Sequence, residues 1–242
     1  MCGPIADVSA RAPDLGGHAD GVRDMFGRIA PTYDLLNRVL SGGLDVAWRQ
    51  RAVDALEGAP RGPSLDLCAG TLDLTVMLDR ARPHQRLIAS DFSEPMLLQG
   101  RAKVPRAEIV VADAQALPFE DASLAAVICG FGIRNVADPE KAVREVRRVL
   151  VPGGVFVTLE FFRPSRLATK LFHRVYASLL LPAVGGLLSG DRGAYAYLAR
   201  SMDGFLSLAE YERAVTQAGF VGVKSEALTL GVASIVRAQV GA

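Results

Sequence analysis

Histidine and cysteine are scarce in this chain, with three of each among 242 residues. The histidines are His18, His84 and His173, and the cysteines are Cys2, Cys68 and Cys129. None stands at the spacing of a metal site, so no metal ligand set is expected. Three cysteines far apart also make no disulfide framework, which suits a reducing cytoplasm. An excess of either charge is missing too: 27 Lys and Arg face 26 Asp and Glu, for a formal net charge of +1. That balance offers no electrostatic case for nucleic acid as a partner. Long hydrophobic runs are lacking as well. The most apolar stretch, YASLLLPAVGGLL at Tyr176–Leu188, is broken by Pro182, Gly185 and Gly186 and is too short to span a bilayer. The first residues show no secretory pattern and read as a flexible leader over 1–21.

What is present is ordinary for one α/β domain: 50% hydrophobic and 22% charged residues. The remaining 22–242 reads as that domain. Over 22–56 the apolar residues Met25, Phe26, Ile29, Tyr33, Leu36, Val39 and Leu40 fall near helical spacing. Pro31 and Ser41-Gly42-Gly43 punctuate them, so two or three helices are expected, the last from about Asp45 to Leu56. Strands are predicted at 64–68, 86–90, 107–112, 124–129 and 154–160, with helices at 72–81, 94–103 and 139–150 between them. Such alternation builds a mainly parallel sheet with helices on both faces. A helical, apolar insertion over 163–206 interrupts it. A helix at 207–218 and strands at 220–227 and 231–239 follow, and two strands without a helix between them imply an antiparallel hairpin. A seven-stranded sheet ending this way resembles the Rossmann-like fold of class I methyltransferases.

Three strand ends carry the chemistry. In LDLCAGTLDL, Leu65–Leu74, Gly70 permits a sharp turn and close backbone approach to a ligand. Asp66 can orient that turn or accept from a ligand ammonium, and Thr71 offers a hydroxyl at the helix start; an ordinary capped strand-to-helix turn is the plainer alternative. Asp91, followed by Phe92, can accept from both hydroxyls of a ribose, or can serve as a helix cap. Asp113 can accept from an adenine amine while Ala114 leaves room for the ring, or can simply form a turn. The loop has one glycine where a dinucleotide fingerprint has three, and there is no P-loop Lys. Both absences favour a nucleoside without phosphates, such as S-adenosylmethionine.

These motifs coincide with longer ones, among them MFGRIAPTYDLLNRVLSGGLDVAWR (25–49), ADAQALPFEDASLAAVICGFGIRNVAD (112–138) and EVRRVLVPGGVFVTLEF (145–161). GFGIRNV followed by RVLVPGG is the most specific part. With them the chain resembles the ubiquinone/menaquinone biosynthesis C-methyltransferases over about 22–240. The resemblance implies S-adenosylmethionine contacts at Thr71, Asp91, Asp113 and Ala114, and acceptor-side roles for Tyr33, Arg134 and Asn135. It also implies that Leu72 stands where many members carry Gly or Ala. Leu72 then either crowds the methionine end of the cofactor or packs beneath the helix.

The implied reaction is methylation of a ring carbon in a reduced quinone, naphthoquinol or benzoquinol. No residue is an evident strong base. Arg134 stays protonated, so its roles are to stabilise a phenolate, to polarise a water, or to bridge a carboxylate structurally. Tyr33 either positions the ring oxygen or belongs to the helical core. Glu160, at a strand end, is a further hydroxyl-binding candidate. The insertion at 163–206 suits a lid over a lipid-tailed acceptor and contact with the inner membrane surface, or else a homodimer face. A small aromatic or polyketide acceptor, a cofactor-binding scaffold without catalysis, and a nicotinamide dehydrogenase are the competing classes, the last weakened by the missing glycines.

Overall fold

The computed structural model describes residues 17–163, 201, 202 and 204–241. The leader reading for 1–16 and most of the insertion at 163–206, with its lid, membrane and dimer readings, lie outside the described residues. The chain begins with two helices, α1 (Gly17–Leu40) and α2 (Leu44–Asp54). The break between them falls at the Ser41–Gly43 turn, where Gly42 and Gly43 take positive φ of 60° and 82°. Pro31 does not interrupt α1, contrary to the punctuation seen in the sequence. A proline removes one donor from a helix, and burial of Met25, Ile29 and Ala30 around it holds the helix against the body.

The sheet runs β3-β2-β1-β4-β5-β7-β6. Its strands are β1 (Ser64–Leu67), β2 (Leu87–Asp91), β3 (Glu108–Val111), β4 (Leu124–Gly130), β5 (Leu150–Glu160), β6 (Phe220–Leu228) and β7 (Ala233–Val240). The first five pair in parallel, and β7 pairs antiparallel with both β5 and β6. The expected seven-stranded sheet with a terminal hairpin is therefore present. The order reverses between β1 and β4, and the carboxyl ends of the strands at such a switch point open a crevice.

Strand alternation divides the core into two layers. Leu65, Leu67, Val127, Cys129 and Phe156 face α5 (Pro139–Val149) and α6 (Leu208–Gln217). Ala126, Ile128, Val155 and Val157 face α2 and α3 (Asp73–Ala81). Burial on both faces explains why β4 reads as a nearly continuous apolar run and why every residue of β1 and β2 is buried. α5 follows the start chemistry visible in the sequence: Asp138 accepts from the N–H of Lys141 at 2.9 Å and Pro139 opens the helix. Ser207 and Glu210 form a capping box on α6. β5 starts four residues before its predicted start. Leu150 already pairs with Leu124, and the register shifts before Val155 meets Ala126. Pro152-Gly153-Gly154 is thus an irregularity within a paired strand rather than a connecting loop. Among the described residues no helix is long and apolar enough to cross a membrane.

Candidate active site

The loop leaving β1 is built from left-handed residues. Cys68, Gly70 and Leu72 have φ of 56°, 53° and 67°. Such conformations cost a side-chain-bearing residue about 1–3 kcal/mol each and persist where their surroundings hold them. Here the surroundings are close. A Cβ on Gly132, beyond the end of β4, would lie 2.2 Å from Cys68 Cβ, so only glycine lets the two loops meet. Leu72, just before α3, is fully buried against Ala69, Ala89 and Leu97 of α4 (Glu94–Gly100), and it is not among the residues lining the crevice. Its side chain does not crowd the cleft.

The crevice encloses about 710 Å³, part of it open to solvent. Asp91, Phe92, Asp113 and Ala114 line it at the ends of β2 and β3, and Gly70 lines it below. Asp91 is buried, and both its oxygens accept backbone N–H groups, Oδ2 from Gly70 and Oδ1 from Ser93, each at 2.9 Å. Burial pushes its pKa up to about 6, against the pull of those donors. Asp113 accepts from the N–H of Gln115 at 2.9 Å, so the turn geometry is real and its remaining lone pairs still border the cleft.

Two expected residues sit behind the wall. Asp66 is buried, accepts from Thr75 Oγ1 at 2.6 Å through Oδ2, and leaves Oδ1 without a partner. Burial pushes its pKa up to about 7. Thr71 is buried and directs its hydroxyl to Asp34 of α1 instead of the open space.

The opposite wall comes from α1 and the segment after β4. Tyr33 and Asn135 line the cleft. Burial raises the Tyr33 pKa, although its hydrogen bond with Asn37 and the charges of Arg134 and Arg49 oppose that rise. Arg134 does not line it. Its guanidinium donates to Glu160 Oε1 at 2.6 Å and to the Phe131 carbonyl at 2.7 Å, with both side chains buried. Burial raises the Glu160 pKa despite this partner. Glu160 also accepts from the N–H groups of Phe161 and Arg134. The structure therefore brings Tyr33 and Asn135 to the crevice and places Arg134 one layer back, as a bridge to a carboxylate.

Phe131, Met96 and Gln115 also line the cleft and carry no signal in the strand and helix patterns. Cys68 lines it too, but a hydrogen bond with Cys129 and desolvation push the pKa of its free thiol well above the usual value and leave it a poor nucleophile. Among the described residues, no Lys, Arg or His lines the crevice, while two carboxylates do. Among the described lining residues a phosphate-bearing ligand finds no counter-charge. A nucleoside carrying positive charge does.

The sheet order and crevice define a class I methyltransferase fold. A solved S-adenosylmethionine-dependent methyltransferase from Thermotoga maritima, a possible histamine N-methyltransferase, superposes with a TM-score of 0.66 at 20% identity, covering 89% of this chain and 98% of that one. The carbon methyltransferase of CurJ superposes with a TM-score of 0.60 at 16% identity, over 93% of this chain and 70% of that one. Residues 15–239 match the ubiE/COQ5 methyltransferase family, and the chain belongs to it. It is a methyltransferase. A demethylmenaquinone methyltransferase from Thermus thermophilus is 49% identical over 216 residues, which is 87% of this chain and 97% of that protein. The ubiquinone/menaquinone biosynthesis C-methyltransferase UbiE of Geobacter sulfurreducens is 38% identical over 91% of this chain and 88% of its own length.

Proposed function

We propose that the crevice binds S-adenosylmethionine and that the protein methylates a ring carbon of a reduced quinone. The observation that carries this reading is the lining itself: Asp91 and Asp113 at two adjoining strand ends, with no basic residue among the described lining residues. Asp91 would hold the ribose hydroxyls, with Phe92 beside it. Asp113 would accept from the adenine amine, with Ala114 making room for the ring. Gly70 would let the backbone approach the methionine part. The unpartnered Oδ1 of Asp66 fits an ammonium group reached from behind the loop. Thr71 contributes by fastening the loop to α1 through Asp34.

S-adenosylmethionine, when bound, supplies a methyl group made electrophilic by a sulfonium. The protein then has to position the acceptor and assist loss of its hydroxyl proton, since the phenolate pushes electron density onto the neighbouring ring carbon. Tyr33 and Asn135 face the space where that hydroxyl would lie. Burial keeps Tyr33 a neutral phenol, so it donates to the developing phenolate oxygen rather than acting as a resident base. Arg134 adds positive charge from one layer back and holds the Phe131 carbonyl. The proton leaves through water at the cleft mouth. The choice of a quinol draws on the two relatives, both named for quinone-pathway methylation. A lipid-tailed acceptor would be met by a cytoplasmic protein with peripheral contact at the membrane surface. Leu35, Val39 and Leu44, exposed on α1 and α2, suit that contact.

Incubation with S-adenosylmethionine and a short-chain demethylmenaquinol, followed by mass measurement, tests the reading. One added methyl on carbon is expected. An O-methyl product, or none, would refute it.

A further inference from the structure

Arg49 of α2 is a buried cation with little to do structurally. Its side chain is 8% exposed and pairs with Asp45, one turn earlier in the same helix. Asp45 is already served by the Ser41 hydroxyl at 2.9 Å, and Arg38 lies 3.4 Å away. Among the described residues, Asp45 is the ion-pair partner of Arg49. A buried guanidinium so placed costs desolvation that one ion pair rarely offsets.

Its surroundings point toward the crevice. The guanidinium lies 5.7 Å from the ring centre of Phe131, which lines the cleft and holds a left-handed φ of 59°. Phe131 stacks on Phe161 at 4.6 Å, and Arg134 lies 5.6 Å over Phe161. Each ring of the pair thus carries one guanidinium, which its electron-rich face attracts. The two cations are differently engaged. Arg134 is taken up by Glu160, the Phe131 carbonyl and Ser201. Arg49, among the described residues, pairs with Asp45 and lies over Phe131. Both charges act on Tyr33, the residue that faces the acceptor hydroxyl.

We infer that Arg49 is a positioning residue of the acceptor side. It braces Phe131 in the cleft wall and sets a second positive charge beside the ring oxygen that Tyr33 faces. This rests on the reading of the acceptor as a hydroquinone, whose phenolate is the group a second cation would favour.

The test compares Arg49→Met, Arg49→Lys and the double variant Arg49→Met/Asp45→Asn with the unaltered protein. The double variant removes the orphaned carboxylate, so a folding defect of the single change is separable. The unaltered protein is first shown to methylate the demethylmenaquinol; if it does not, the functional reading fails and the inference is not reached. With that activity in hand, the double variant is expected to lose at least tenfold in kcat/KM for the acceptor. Its affinity for S-adenosylhomocysteine is expected to stay within about twofold, and Arg49→Lys is expected to recover most of the loss. Acceptor kinetics unchanged in the double variant would overturn the inference. So would a loss of S-adenosylhomocysteine affinity matching the loss of turnover, because that result marks a purely structural role.

Discussion

The backbone N–H of Gly70 donates to Asp91 Oδ2 at 2.9 Å, which ties the loop after β1 to the end of β2. The same carboxylate accepts from Ser93 on its other oxygen, so Asp91 locks two loops and still borders the crevice. Replacing Asp91 with Asn turns one acceptor into a donor facing a backbone donor. We expect a stability loss of about 1–3 kcal/mol, the cost of an unsatisfied buried group. We also expect S-adenosylhomocysteine to bind at least tenfold more weakly, because one acceptor for the ribose is gone. Calorimetric titration checks this, and unchanged affinity would remove Asp91 from the binding site.

Burial raises Asp66 to about 7 and Asp91 to about 6, so the ligand-free protein shares a proton on Asp66 near neutrality and holds protons on both groups as pH falls below about 6. A raised folded-state pKa contributes stability at low pH that is lost as pH rises through those values. A ligand bearing an ammonium reverses the preference, because it favours the ionised carboxylates. Affinity for S-adenosylhomocysteine is therefore expected to rise at least tenfold from about pH 5.5 to about pH 7.5, with proton release on binding. Asp66→Asn should flatten the upper part of that rise. Affinity independent of pH in the unaltered protein would contradict the assignment of these carboxylates to a cationic ligand.

The Arg134–Glu160 pair is fully buried, so removing one partner leaves an uncompensated charge. Arg134→Ala is expected to cost about 3–5 kcal/mol of stability and most of the turnover. In Arg134→Met/Glu160→Gln the charge imbalance is gone. That double variant should recover stability without recovering turnover, while S-adenosylhomocysteine still binds. Recovered turnover would show that Arg134 serves only the fold.

Leu72 packs against Ala69, Ala89 and Leu97 in a left-handed conformation. Leu72→Ala removes a buried side chain and keeps the strain, at an expected cost of about 2–5 kcal/mol. Leu72→Gly removes the strain as well, so it should be the more stable of the two by about 1 kcal/mol, the reverse of their usual order inside helices. Denaturant unfolding of both variants decides the matter. Neither should alter affinity for S-adenosylhomocysteine, since Leu72 does not border the cleft.

The frame of the molecule is legible in its sequence because parallel strands buried on both faces leave continuous apolar runs. The crevice demands special residues where those runs end. Asp91 and Asp113 stand out for that reason, and so does Gly70. The acceptor wall is less legible. Arg134 is recognisable as a cation near the site, but its partner Glu160 lies 26 residues away on another strand, and only folding puts one beside the other. Thr71 and Asp34 are 37 residues apart and meet because α1 lies across the β1 loop. Phe131 lies within GFGIRNV, but its contacts with Arg49 and Phe161 form only on folding. Arg49 did leave a trace: an Asp four residues before an Arg on one helix face is a readable ion pair.

The location of the bound nucleoside tests the whole account most directly. A crystal structure with S-adenosylhomocysteine is expected to show the ribose on Asp91, the adenine beside Asp113 and Ala114, and the sulfur facing Tyr33 and Asn135. Density for the nucleoside outside the ends of β1, β2 and β3, or a sulfur turned away from Tyr33, would contradict it.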